Sequence, residues 1–116
     1  MRTLAPLMLP LILSACAVTE PVVVIGKTGQ TLRGTTTARM NGDGTFSATD
    51  GQLTCGGNYN SLSTETTITA QVLCSDGRKG IVISTRESSG VAGHGTAKLN
   101  DGSEWTFIFG SAAANF

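Results

Sequence analysis

Asp-Gly pairs punctuate this chain at Asp50-Gly51, Asp76-Gly77 and Asp101-Gly102, spaced 26 and 25 residues apart. Each lies between runs that can alternate faces. An Asp-Gly so flanked is the strongest short-range hairpin signal, because both central residues of a two-residue turn must take positive φ. Thr28-Gly29 predicts an earlier and weaker hairpin tip, between Val22–Ile25 and Thr31–Arg39. No window shows helical periodicity, and all 15 glycines follow an apolar leader.

The clearest alternation is Ile68, Ala70, Val72 and Cys74, with Thr67, Thr69, Gln71 and Leu73 on the other side. A period of two places the first set on a buried face. The same reading pairs Leu53 with Cys55, Ile81 with Ile83, and Trp105 with Phe107 and Phe109 on inward faces. Phe46, Tyr59 and Phe116 are the remaining bulky aromatics, so the core is thin. The fold expected is all-β: an antiparallel meander of repeated hairpins, either open or closed into a small barrel.

The leader is as distinctive as the turns. Met1 and Arg2 precede an apolar run from Leu4 to Leu13, interrupted only by Pro6 and Pro10. This is the layout of a secretory signal, too short for the roughly twenty residues that span a bilayer. Leu13-Ser14-Ala15-Cys16 at its end resembles the lipobox of bacterial lipoproteins. The resemblance implies cleavage before Cys16, acylation of its thiol and attachment to a membrane of the bacterial cell envelope. Ala17 after the cysteine, in place of an aspartate, resembles lipoproteins passed on to the outer membrane, on its periplasmic side. Residues 1–15 are then signal, 16–22 a lipidated N-terminus and short tether, and 23–116 a single β domain.

Removing the first 15 of 116 residues leaves 101, enough for one small domain. Arg2 leaves with the leader, so seven basic residues face eight acidic ones. A balance near −1 lacks the basic footprint of a nucleic-acid partner. It also offers no electrostatic hold on anionic lipid, so membrane attachment falls to the acyl chains.

With Cys16 lipidated, Cys55 and Cys74 remain as an even pair in an exported chain, and a disulfide between them is the expected state. Closing a loop of about twenty residues is worth roughly 3 kcal/mol in the chain-entropy model. That is a large share of a small domain's stability of about 5–15 kcal/mol.

The turn pattern carries a second resemblance. Gly42-Asp43-Gly44-Thr45-Phe46, then Asp50-Gly51, Gly57 and Tyr59, is similar to a MORN-type hairpin repeat, and Gly93-His94-Gly95-Thr96, Asp101-Gly102, Trp105 and Phe109 resemble it again. The spacing departs from that of MORN arrays, and the unit around Asp76 lacks the leading glycines. The resemblance implies a scaffold or binding surface.

No motif for catalysis assembles. Gly26-Lys27-Thr28-Gly29 lacks the glycine that a phosphate loop needs five residues earlier, where Pro21 stands. A Cys–His nucleophile built from Cys55 or Cys74 with His94 needs a free thiolate, which a disulfide removes. Two cysteines and one histidine make a poor zinc set. Glu65, Glu87 and Glu104 are scattered, and most of the aspartates sit in turns, where their side chains cap the backbone. Arg78-Lys79, with Arg86 eight residues on, forms a small basic spot that could meet an acidic partner or lipid headgroups.

The function expected is therefore non-enzymatic, with no catalytic residue, cofactor or metal: a structural or assembly accessory of the envelope that presents a β-hairpin surface to a protein partner. The alternative is an inhibitor or immunity-type binder, like the small β-barrel lipoproteins that block lysozymes. The Ser-Gly-x-x-Tyr loop of those proteins has no match, since Ser89-Gly90 is followed by Val91, Ala92 and Gly93.

Overall fold

Alternating Thr, Val, Ile and aromatic residues between turn signals form eight strands in the computed structural model, which describes residues 17–87 and 92–115. These are β1 (Ala17–Gly26), β2 (Thr31–Arg39), β3 (Asp43–Thr49), β4 (Thr54–Asn60), β5 (Thr67–Cys74), β6 (Lys79–Arg86), β7 (Gly93–Leu99) and β8 (Glu104–Phe109). Each strand pairs antiparallel with the next, and β8 returns to β1 to close a barrel. The closing seam aligns Val22 with Phe109 and Gly26 with Trp105. Of the two forms left open by the sequence, the closed one is realised. The stretches resembling MORN repeats form the β3–β4 and β7–β8 hairpins.

Closure bends the sheet sharply, and glycine makes room for the bend. A Cβ on Gly34 would overlap the Ser47 carbonyl oxygen, and one on Gly80 would overlap that of Lys98. Glycine inside a strand is otherwise a weak choice, so its presence marks where neighbouring backbones approach most closely.

The turn chemistry differs from expectation. The Asp76-Gly77 and Asp101-Gly102 hairpins use three-residue loops in which the glycine takes positive φ, 93° and 88°. In the first, Gly77 N–H donates to the Cys74 carbonyl and Cys74 N–H to that of Arg78. This is a type I turn followed by a left-handed residue. Aspartate favours it because its carboxylate accepts the N–H two residues ahead: Arg78 to Asp76 at 3.1 Å, Ser103 to Asp101 at 2.9 Å.

Inward faces follow the predicted alternation in β5, where Ala70, Val72 and Cys74 are buried and Leu73 is 61% exposed. Trp105 and Phe107 are buried on β8. Strand β6 is a correction. Val82 and Ser84 point inward, while Ile81 and Ile83 stand on the outer wall, 47% and 53% exposed. The register sets Val82 opposite Ala70, which puts the isoleucines opposite Gln71 and Thr69. Apolar residues occupy both faces here, so hydrophobicity alone could not choose between them.

The tether is a second correction. Residues 17–22 are not slack chain but the first part of β1, with Ala17 opposite Arg39 and Val22 opposite Gly34. Ten β-rich residues in register with a full-length neighbour gain more from ladder hydrogen bonds than a free linker could. Val23, on the outer face of β1, is nevertheless buried. A 3-10 turn at Ala113–Asn115 packs against β1 and is itself buried at Ala113.

Candidate functional site

The two ends of the barrel are built differently. One carries the connections β1–β2, β3–β4, β5–β6 and β7–β8. The other carries β2–β3, β4–β5 and β6–β7, together with the start of β1 and the C-terminal 3-10 turn.

The first end is filled. Leu32, Leu99, Val24 and Trp105 pack with Cys55 and Cys74, leaving a void of only about 20 Å³. The two cysteines are opposite residues of β4 and β5, bonded at 2.05 Å with their Cα atoms 4.0 Å apart. The adjacent Ser75 N–H donates to the Thr54 carbonyl, so the cysteines occupy the closer, non-hydrogen-bonded kind of pair. Above them Trp105 Nε1 donates to Ser103 Oγ, which donates to Asp101 Oδ1 at 2.6 Å. Arg78 lies over the indole at 5.9 Å, within cation–π range, and bridges Asp76 at 2.8 Å and Asp101 at 2.9 Å. The Ser103 hydroxyl, the Ser103 N–H and the Arg78 guanidinium together hold the Asp101 carboxyl at about 2. The same logic lowers Asp76, first through the Arg78 N–H, and Asp50, first through the Leu53 N–H.

The second end is hollow. A cavity of about 110 Å³ opens among the long loops. Its floor is the pair Phe46 and Phe107, packed edge to face with centroids 5.5 Å apart, and Val82; these same residues bound the filled core on their other side. The walls are short: Ala38 on β2, Ala70 on β5, Ser84 on β6. Tyr59, Ile68 and Phe109 stand around the mouth, each half-buried.

Four residues with a hydroxyl line this space, Thr36, Tyr59, Ser61 and Ser84, and Ser61 Oγ donates to the Arg39 carbonyl at 2.6 Å. Thr36 Oγ1 donates to the Thr45 carbonyl at 3.1 Å and lies 3.0 Å from Tyr59 Oη. A threonine hydroxyl has one hydrogen, so Tyr59 is the donor between them. Ser84 Oγ donates to the His94 carbonyl at 3.3 Å. Each hydroxyl hydrogen is thus engaged by the protein while the oxygens keep lone pairs.

Arg86 lines the mouth, and its guanidinium donates to the carbonyls of Ser63, at 2.7 Å, and Glu65. It ties down the 60–67 loop. It therefore does not join Arg78 and Lys79 in one basic spot. They mark opposite ends of the eight-residue strand β6, about 3.3 Å per residue apart, and Arg78 is already paired with two aspartates.

The remaining sequence candidates are dispersed. Cys55 and Cys74 point inward, while His94 is exposed on the outer wall. Gly26-Lys27-Thr28-Gly29 is the β1–β2 turn, with Lys27 Nζ 3.9 Å from Glu104 Oε1. Among the described residues no group of three His, Cys, Asp or Glu side chains is placed to hold a metal. Cys16 and Ser89-Gly90 lie outside the described residues.

The cavity was missed in the sequence. Its signal was the size gradient of inward residues, with Thr36, Ala38, Gly44, Ala70 and Ser84 towards one end and Leu32, Cys55, Cys74, Leu99 and Trp105 towards the other.

No family model and no curated protein matches the chain. Among solved structures it is similar to designed barrels. A redesigned β-barrel, mFAP1, bound to DFHBI, matches with a TM-score of 0.62 and 20% identity, covering 84% of this chain and 95% of that one. A second redesigned β-barrel gives 0.60 and 19%, covering 84% and 91%. A de novo fluorescence-activating β-barrel gives 0.57 and 17%, covering 78% and 88%. At these identities the likeness establishes the barrel fold.

Proposed function

We propose that this chain is exported, lipid-anchored at Cys16, and serves as a non-enzymatic accessory of a bacterial envelope that presents its barrel wall to a protein partner. The observation that carries the reading is the outer surface of β5 and β6. Leu73, Ile81 and Ile83 are 61%, 47% and 53% exposed there. Ile81 sits opposite Gln71, diagonal to Leu73, so the three form one row. Scattered exposed apolar residues are ordinary, whereas a contiguous row on a rigid sheet has the make-up of a contact surface. The start of β1 at Ala17 supports the same picture, since an anchor on Cys16 would hold the hollow end towards the bilayer and leave this wall upright.

The test is in-cell photo-crosslinking of the full chain. A crosslinking residue at Ile83 should give one discrete adduct, and one at Thr35, on the opposite wall, should give none. Adducts from neither position, or equally from both, overturn the reading. The anchor is checked separately: Cys16→Ser should abolish labelling by a palmitate analogue and leave the precursor unprocessed.

A further inference from the structure

We infer that the hollow end of the barrel is a binding site for a small, mostly apolar molecule that carries a single hydrogen-bond donor, of the class of monocyclic phenols. Size, lining and proton inventory each restrict the ligand.

The volume of about 110 Å³ is below the roughly 150 Å³ of an engineered closed cavity that holds benzene, so a space open at its mouth has room for one small ring and no more. The floor of Phe46, Phe107 and Val82 is apolar and offers aromatic edges and faces to a ring. It rests on the filled core, so the site is held by the most rigid part of the molecule.

The polarity is one-sided. Thr36 and Ser84 are 8% and 7% exposed, and their hydroxyl hydrogens go to the carbonyls of Thr45 and His94. The Tyr59 hydrogen goes to Thr36. What these hydroxyls still offer is lone pairs, so they reward a ligand that donates and give nothing to one that only accepts. A buried acceptor satisfied by a ligand hydroxyl rejects the analogue lacking it, because the protein group is then left without its hydrogen bond. Arg86, the cation at the mouth, gives Nε and Nη2 to the carbonyls of Ser63 and Glu65, which leaves its Nη1 donors and its charge at the rim rather than on the apolar floor.

The inference does not depend on the lipid anchor or on the β5–β6 wall. Titration of the full chain carrying Cys16→Ser with phenol, anisole and benzene, followed by calorimetry and by amide shifts, tests it. Phenol should bind, with shifts centred on Ala70 and Ser84. Anisole, which has the oxygen but no donor, should bind about 3–10-fold more weakly, the range a net hydrogen bond gives. Tyr59→Phe and Ser84→Ala each keep the packing and remove one acceptor, and at least one should erase the phenol preference. Ala70→Leu should block all three probes. Equal binding of phenol and anisole, shifts outside the cavity, a preference surviving both acceptor variants, or no binding by any probe overturns the proposal.

Discussion

The two ends of the barrel share one sheet and the same strand geometry, yet one is solid and the other hollow. At the solid end, Trp105, Leu32, Leu99 and the Cys55–Cys74 bond fill the cross-section, and Arg78 bridges two turn aspartates above the indole. At the hollow end, Ala38, Ala70 and Ser84 occupy the equivalent inward positions, and a longer loop is held by one arginine. The difference teaches that stability and recognition are separated along the barrel axis. An eight-stranded barrel has an interior just wide enough for side chains to fill, so whether a ligand fits is decided by the size of a few inward residues. A small domain can leave one end of its interior open when the other end, with a covalent staple, holds the fold.

The comparison breaks most readily under truncation of the core. Trp105→Ala should cost about 3–5 kcal/mol in urea unfolding, whereas Phe109→Ala, at the rim of the hollow end, should cost clearly less. Equal losses would mean that both ends carry the fold. Next in size is the staple. Replacing Cys55 and Cys74 by alanine should lower stability by roughly 3 kcal/mol, checked by the same transition with the wild type reduced as a control.

Arg86→Ala sharpens the comparison from the other side. It should cost about 1.5–3 kcal/mol, the value of a lost hydrogen bond from a charged donor. Amide exchange should rise at residues 61–66 and stay unchanged in the Asp76 and Asp101 turns. The pH effect is smaller. Asp101 has a folded pKa of about 2 against an ordinary 3.8, so the fold favours its ionised form. Its contribution is complete above about pH 4 and is lost as the pH falls through 2. The drop in melting temperature between these pH values should shrink in Asp101→Asn. His94→Ala, on the outer wall, should leave stability within about 0.5 kcal/mol of the parent.

The hairpins were legible because aspartate and glycine have distinct turn chemistry, and the β5 alternation because its two faces differ in polarity. The inward Trp105 and Phe107 were legible by the same rule. Ile81 and Ile83 were not, because Val82 between them is equally apolar and only the register with β5 sets the face. Residues 17–22 were misread as a tether because Thr19, Glu20 and Pro21 weaken the strand pattern, while the pairing with β2 that rescues them spans a long stretch of chain. The cavity was hidden for a related reason. It is a property of residues brought together from six strands, none of which is unusual alone.

The seam between β4 and β5 has four paired positions, fewer than the seven between β5 and β6, and it is the seam the disulfide crosses. A chain whose thiols are still reduced is least secured there, and would stay an unrolled ribbon with two free borders more readily than a tube. Oxidation then acts as a latch. Under the export proposed above, the same atoms that hold the finished molecule would also set the moment of its closing, so that a pliable thread is moved and a rigid cylinder is what arrives.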